Sequence, residues 1–196
     1  MNSPLLILAS ASPRRADLLR ELGFDFHIVP SAAGEIHSED LSAGEVAQLN
    51  AYRKARTVSK KFPDAVTLGV DTVVALGPTL FGKPSGLADA ERMVLALLGK
   101  THQVVTGVCL IHLRGHRQKS FWEQTDVTFR TLTLPQIRHY HALVNPLDKA
   151  GAYGIQEHSG VLVESISGSF SNVAGLPMER LQAELAGFGI LPAAAP

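Results

Sequence analysis

Cysteine is all but missing: of 196 residues only Cys109 is one, inside the apolar stretch 104–113. A lone thiol cannot close an intramolecular disulfide, which excludes a disulfide-stapled secreted scaffold and suits a reducing compartment. Net charge is missing as well. Lys plus Arg and Asp plus Glu balance at 18 each, so no broad basic field exists to hold a nucleic-acid polymer or an anionic membrane, and any anion site must be local. No uncharged apolar run reaches the about 18 residues a membrane helix needs, because Asp71 interrupts the most hydrophobic region. The short apolar run 5–8 has no basic segment before it and Arg14 and Arg15 soon after, the reverse of a secretion signal. Also absent are a Gly-x-x-x-x-Gly-Lys-Ser/Thr phosphate loop and a zinc-ligand spacing among the histidines: His112 and His116 flank a turn, and His139 and His141 point apart on a helix. The expectation is a soluble, cytoplasmic chain, one domain without repeats or linkers, with neither nucleic-acid polymer nor membrane as partner.

What is present alternates between strand and helix. Residues 5–10 read as a buried strand, followed by Ser12 as N-cap, Pro13 at the first helical position, a helix to Leu22 and Gly23 as its stop. Residues 24–29 suggest a second strand, and 30–41 a loop carrying Glu35, Glu39 and Asp40. Ser42 with Glu45 forms a capping box for a helix running to about Phe62, before Pro63. Residues 66–76 are rich in β-branched side chains and predict a central strand; 88–98 predict a helix closed by Gly99. Runs 103–113 and 121–132, joined around Gly115, suggest an antiparallel pair. Thr133 with Gln136 marks a helix over 134–144, then come a strand at 160–166 and a last helix from Pro177 to Gly187 or Gly189. The Pro/Ala tail 191–196 is expected to fray. This order predicts an α/β fold with a mixed twisted sheet and flanking helices, parallel in the first half and antiparallel in the middle.

Asp71 is the most informative residue, because an unpaired carboxylate in a buried strand costs several kcal/mol and must meet a cation, a metal or hydrogen-bond donors. A strand-end Asp satisfied by backbone N–H groups is the plainer explanation. The segment Ser10-Ala11-Ser12-Pro13-Arg14-Arg15 places two guanidiniums at a helix N-terminus, where N–H groups and the helix dipole already favour phosphate; the plainer alternative is a capped, solvated helix start. Lys83 in Gly82-Lys83-Pro84 and Lys149 in 148–156 sit in glycine-containing loops that let backbone approach a ligand. Lys54 taken alone is an ordinary helix lysine, and Cys109 a core residue.

Together, residues 10–15, Val70-Asp71-Thr72, Gly82-Lys83-Pro84, 148–156 and the run Gly168 to Pro177 resemble the ordered motif set of the Maf family of nucleoside triphosphate pyrophosphatases. The likeness covers nearly the whole chain, and five motifs in order are far more specific than any one. It implies an elongated, two-lobed α/β fold with a central cleft, similar to inosine triphosphate pyrophosphatase, and a homodimer. It implies Asp71 as the catalytic residue, with Ser10, Arg14, Arg15, Lys54 and Lys83 binding phosphate, and Asp71 and Glu35 holding a divalent cation, Mg²⁺ or Mn²⁺. The residues matching Arg14, Thr72 and Gln156 separate a dTTP/UTP subgroup from one acting on 7-methyl-GTP, and this chain has the first subgroup's residues at all three. Val70 departs from the more usual alanine or serine. The implied reaction is cleavage of dTTP and UTP, or modified pyrimidine nucleotides, between the α- and β-phosphates. The alternatives are 7-methyl-GTP hydrolysis and a non-catalytic nucleotide-binding regulator of septum formation.

Overall fold

The apolar, β-branched run in the first half of the chain becomes the spine of a sheet. A computed structural model describes residues 4–38 and 40–193; Glu39 and residues 194–196 of the tail lie outside the described residues. Strand β1 (Leu6–Leu8) leads through helix α1 (Pro13–Glu21) to β2 (His27–Ile28), and helix α2 (Ala43–Ser59) leads on to β3 (Val66–Leu76). These three strands pair in parallel in the order β2-β1-β3, as two strand–helix–strand crossovers require. After β4 (Thr79–Phe81) and α3 (Leu87–Leu97), the long hairpin β5 (Thr101–His112) and β6 (Arg117–Phe129) adds antiparallel strands on the other edge of β3, with β7 (Val163–Ser167) outermost. Helices α4 (Leu134–Leu143), α5 (Ser159–Leu162), α6 (Phe170–Val173) and α7 (Met178–Gly187) complete the chain. The sheet is mixed, parallel where helices cross over and antiparallel where a turn reverses the chain.

One edge of β3 is interrupted. β5 takes the whole opposite edge from Val66 to Ala75, so β1 on 66–68 and β4 on 74–76 must share the remaining one. Between them residues 69–73 have no strand partner on that side among the described residues, and the sheet opens there. Alternation along β3 also divides the core. Val66, Leu68, Val70 and Val74 pack in the main cluster with side chains of α1, α3, α4 and α7. Val73 packs against Val46 and Ala47 of α2, the helix that covers the other face.

Several boundaries differ from the sequence expectation. β1 and β2 are shorter, because each is paired only where its parallel neighbour runs alongside. Helix α2 stops at Ser59 and tightens into turns, with Lys61 N donating to Val58 O, before Pro63. The expected strand at 160–166 starts only at Val163; residues 159–162 are a helical turn entered through His158 at φ 50°. A short apolar run does not distinguish strand from buried helix by its pattern. β4, α5 and α6 are too short to leave a periodic signal. Near the end of the chain, Ala193 N donates to Gly23 O at 2.8 Å.

The core contains one titratable ring with a measurable consequence. His102 is buried between Phe129 and Tyr153, with Nε2 2.9 Å from the Tyr153 hydroxyl. Burial pulls its pKa down to about 4, and the opposing charge of Asp126 compensates only in part. In the unfolded chain the ring takes its proton near pH 6.5, in the folded one near 4. Acidification through this window therefore protonates the unfolded state first and removes up to about 3 kcal/mol of stability, which is fully present above pH 6.5. Denaturant unfolding at pH 7 and pH 4.5 should show wild type losing more stability than His102→Gln; parallel losses would exclude His102 as the cause.

Candidate active site

The site is built where α2 comes unusually close to the sheet. Ala47, Ala51 and Ala55 form a row of small residues facing Gly107 and Gly69: a Cβ added at Gly69 would lie 2.1 Å from Ala51 O, and one at Gly107 2.2 Å from the Ala47 carbonyl carbon. Backbone thus packs on backbone. Gly107 is the cross-strand partner of Asp71, so this absence of side chains brings α2 down beside the carboxylate. Two polar residues one helical turn apart, Asn50 and Lys54, then meet it. Lys54 Nζ lies 2.6 Å from Asp71 Oδ1 and 2.7 Å from Glu35 Oε1, while Asn50 Nδ2 donates to Asp71 Oδ2 at 3.1 Å. Asp71 is only 4% exposed, and its charge is compensated from α2. Burial works against ionisation of Glu35, but the hydrogen bond and charge of Lys54, with Lys83 and His37 further off, outweigh it and hold its pKa below the ordinary value.

On the other face of β3 the hub is Arg15. Its Nε donates to Gly175 O at 2.9 Å, Nη1 to Ser10 Oγ and Val70 O, and Nη2 to Thr72 Oγ1 at 2.9 Å. Four directed bonds to the loop after β1, the open edge of β3 and the 168–177 loop make Arg15 a strut across the cleft floor. Burial lowers its pKa to about 10 against the pull of Asp71, well inside the charged range at neutral pH. Thr72 passes the network on: Thr106 Oγ1 gives its proton to Asn172 O, so at 3.0 Å it accepts from the Thr72 hydroxyl.

A cavity of about 320 Å³ opens between these groups, a volume within the range of small-molecule sites. It brings together Ser10, Arg14, Arg15, Glu35, Lys54, Asp71, Thr72 and Lys83, all named from the sequence. Arg14, at the start of α1, is ion-paired with Asp148 at 3.0 Å and also donates to the Asp148 carbonyl. Lys149 is buried, its ammonium on Asn145 O and Asp148. Gln156 is exposed and stands outside the cavity lining, although its neighbour Ile155 is part of it. Apolar lining comes from Val74, Val104, Tyr153, Ile155, Val173 and Ala174. Cationic and carboxylate groups beside an apolar wall suit an anionic ligand with a flat organic portion.

Sequence reasoning missed Asn50, the Arg14–Asp148 pair and the Thr106 link. Asn50 did leave a trace, a polar residue one turn before Lys54 on a face otherwise made of Val and Ala. Cys109 lies on β5, where burial raises its thiol pKa to about 11 and Ser120 Oγ donates to Sγ; it is a core residue.

Comparison with known proteins agrees with the motif order. The model of Maf-like protein matches residues 5–188. A dTTP/UTP pyrophosphatase of Symbiobacterium thermophilum is 44% identical over 94% of each chain. One of Deinococcus radiodurans is 43% identical, covering 96% of this chain and 95% of its own, and one of Bacillus pumilus 43% identical, covering 95% and 98%. Among solved structures, a HAM1 protein from Coxiella burnetii overlaps 64% of this chain and 73% of its own at a TM-score of 0.43 and 16% identity.

Proposed function

This chain belongs to the Maf-like family, and from that membership and the cleft we propose that it is a nucleoside triphosphate pyrophosphatase hydrolysing dTTP and UTP to the monophosphate and pyrophosphate. The observation that supports this reading most is Asp71, a carboxylate at the open edge of a buried strand, flanked by Lys54 and facing a cavity that also holds Arg14 and Lys83.

A nucleoside triphosphate brings about four negative charges, so cleavage at the α-phosphorus needs cations on the leaving pyrophosphate and a water held in line. Arg14 and Lys83 supply the first, with the N-terminus of α1 behind Arg14. Arg14 exchanges its Asp148 partner for phosphate oxygens, and the planar fork of its guanidinium suits both. Arg15 has four bonds within the protein; it contributes long-range charge and keeps Ser10 and Thr72 in place. Asp71 orients the attacking water or accepts its proton, and Lys54 holds Asp71 and Glu35 toward the same point.

Asp71 and Glu35 are the carboxylates that would hold a divalent cation. Two carboxylates already converge on one cationic group, the Lys54 ammonium, and among the described residues no trio of His, Cys, Asp or Glu forms a full protein cage. Mg²⁺ suits such a pair when substrate phosphates complete its shell, and Mn²⁺ takes the same oxygen ligands. Bound there through Asp71 and Glu35, the ion would offset phosphate charge and polarise the scissile group.

Pyrophosphate release from dTTP, UTP, CTP and 7-methyl-GTP, assayed side by side with and without EDTA, tests both parts. The expected result is turnover of dTTP and UTP, abolished by chelation and restored by Mg²⁺ or Mn²⁺. Hydrolysis untouched by EDTA would remove the metal; binding of dTTP without pyrophosphate release would instead favour the regulatory role. Thr72 and Gln156 are assigned to base selection on the family resemblance, Thr72 with a place in the cavity. The same resemblance supports a homodimer, which light scattering checks, and the unpaired thiol supports a cytoplasmic setting. No helix among the described residues is long and apolar enough to cross a membrane.

A further inference from the structure

The described residues between 30 and 41 form neither helix nor strand, yet they include Glu35. Two links tie this segment to the body by hydrogen bonds among the described residues. One is the Glu35–Lys54 ion pair. The other is Asn50, which is 1% exposed. Its Oδ1 accepts from Ile36 N at 2.7 Å, and its Nδ2 donates both to Ile36 O at 3.0 Å and to Asp71 Oδ2 at 3.1 Å. Both amide protons are committed. The orientation is fixed by these partners, since the flipped amide would set oxygen against two acceptors and nitrogen against a donor.

A lysine ammonium is a point charge on a flexible stem and follows Glu35 over a range of positions. Asn50 instead clamps both backbone groups of the residue after Glu35 and, with the same amide, the carboxylate of Asp71. We propose that Asn50 is a positioning residue for hydrolysis: it ties the segment bearing Glu35 to Asp71, so that the two carboxylates are presented together. The inference rests on the assignment of Asp71 and Glu35 to the phosphoryl chemistry.

Asn50→Leu has the same number and branching of side-chain heavy atoms, keeps α2 helical and removes all three bonds. Loss of such an outer partner costs about 10- to 100-fold in activity. The expected result is a drop of that size in kcat for dTTP with KM little changed, together with faster hydrogen exchange of the Ile36 amide while β3 and α2 stay protected. In the double variant with Glu35→Gln the loss should be no greater than for Glu35→Gln alone. Unchanged kcat, unchanged Ile36 exchange, or losses that multiply in the double variant would overturn the proposal. Should Asn50→Leu fail to fold, Asn50→Ser carries the same readouts. Full activity of Glu35→Gln would instead be a failure of the Glu35 assignment. The Ile36 amide then decides by itself, accelerated exchange upholding the tether and unchanged exchange overturning it.

Discussion

Asp71→Asn should lower kcat for dTTP and UTP by roughly 10²–10⁴-fold, the range associated with losing a positioned acid–base group, while nucleotide still binds. The substitution is nearly isosteric, so the strand is not disturbed. What changes is the charge facing Lys54 Nζ at 2.6 Å and the capacity to take a proton from water or hold a cation. Arg14 and Lys83 are untouched, which is why binding should survive: those groups meet the phosphates directly, and an interaction made chiefly in the transition state can be lost while substrate still binds. Lys54 keeps Glu35 as a partner, so no bare ammonium is left buried and the fold should hold. Pyrophosphate release and equilibrium binding of dTTP, measured on the same preparation with its circular dichroism, separate these effects. Activity within tenfold of wild type would end the catalytic assignment of Asp71.

The second large effect concerns a residue with no side chain. In Gly69→Ala the new methyl would sit 2.1 Å from Ala51 O, 2.6 Å from Ala55 N and 2.8 Å from Ala55 Cβ. Two of these are backbone atoms of a helix and cannot rotate away, so α2 must lift from the sheet. Overpacking of this kind costs about 1–3 kcal/mol and occasionally more, and contacts this short place Gly69→Ala at the upper end, about 3 kcal/mol. The same movement withdraws Asn50 and Lys54 from Asp71, so activity should fall beyond what the unfolded fraction explains. Gly187→Ala, whose added methyl meets nothing within 4 Å, serves as the control and should leave both stability and rate near wild type. If Gly69→Ala melts and turns over like that control, the close seating of α2 is not what builds the site.

The two predictions differ in how readable they were from the chain alone. Asp71 was conspicuous because a carboxylate within Val66-Thr67-Leu68-Gly69-Val70-Asp71-Thr72-Val73-Val74 conflicts with its surroundings, and such a conflict points to a partner. Gly69, in the same run, raised no such flag: a glycine in a strand signals close approach only once something is known to approach. Asn50 left only a faint trace for a similar reason, since its value lies in touching Ile36 and Asp71, 14 and 21 residues away. Arg15 was legible as a cation at a helix start, but its four internal bonds, three of them reaching 55 or more residues along the chain, were not.

Local patterns sufficed for the alternation of strands and helices, the capping box at Ser42, the mixed character of the sheet and the kinds of charge gathered for a triphosphate. They did so because helix periodicity, turn chemistry and the cost of a buried charge all act within a few residues. Long-range packing alone set that β1 and β4 part along one edge of β3, that α2 descends far enough for Lys54 to reach both Asp71 and Glu35, and that Gln156 stands outside the cavity while Thr72 is tied into it. Those outcomes depend on strand register and on which backbones lack a side chain where they meet, properties of pairs of distant segments that neither segment expresses alone.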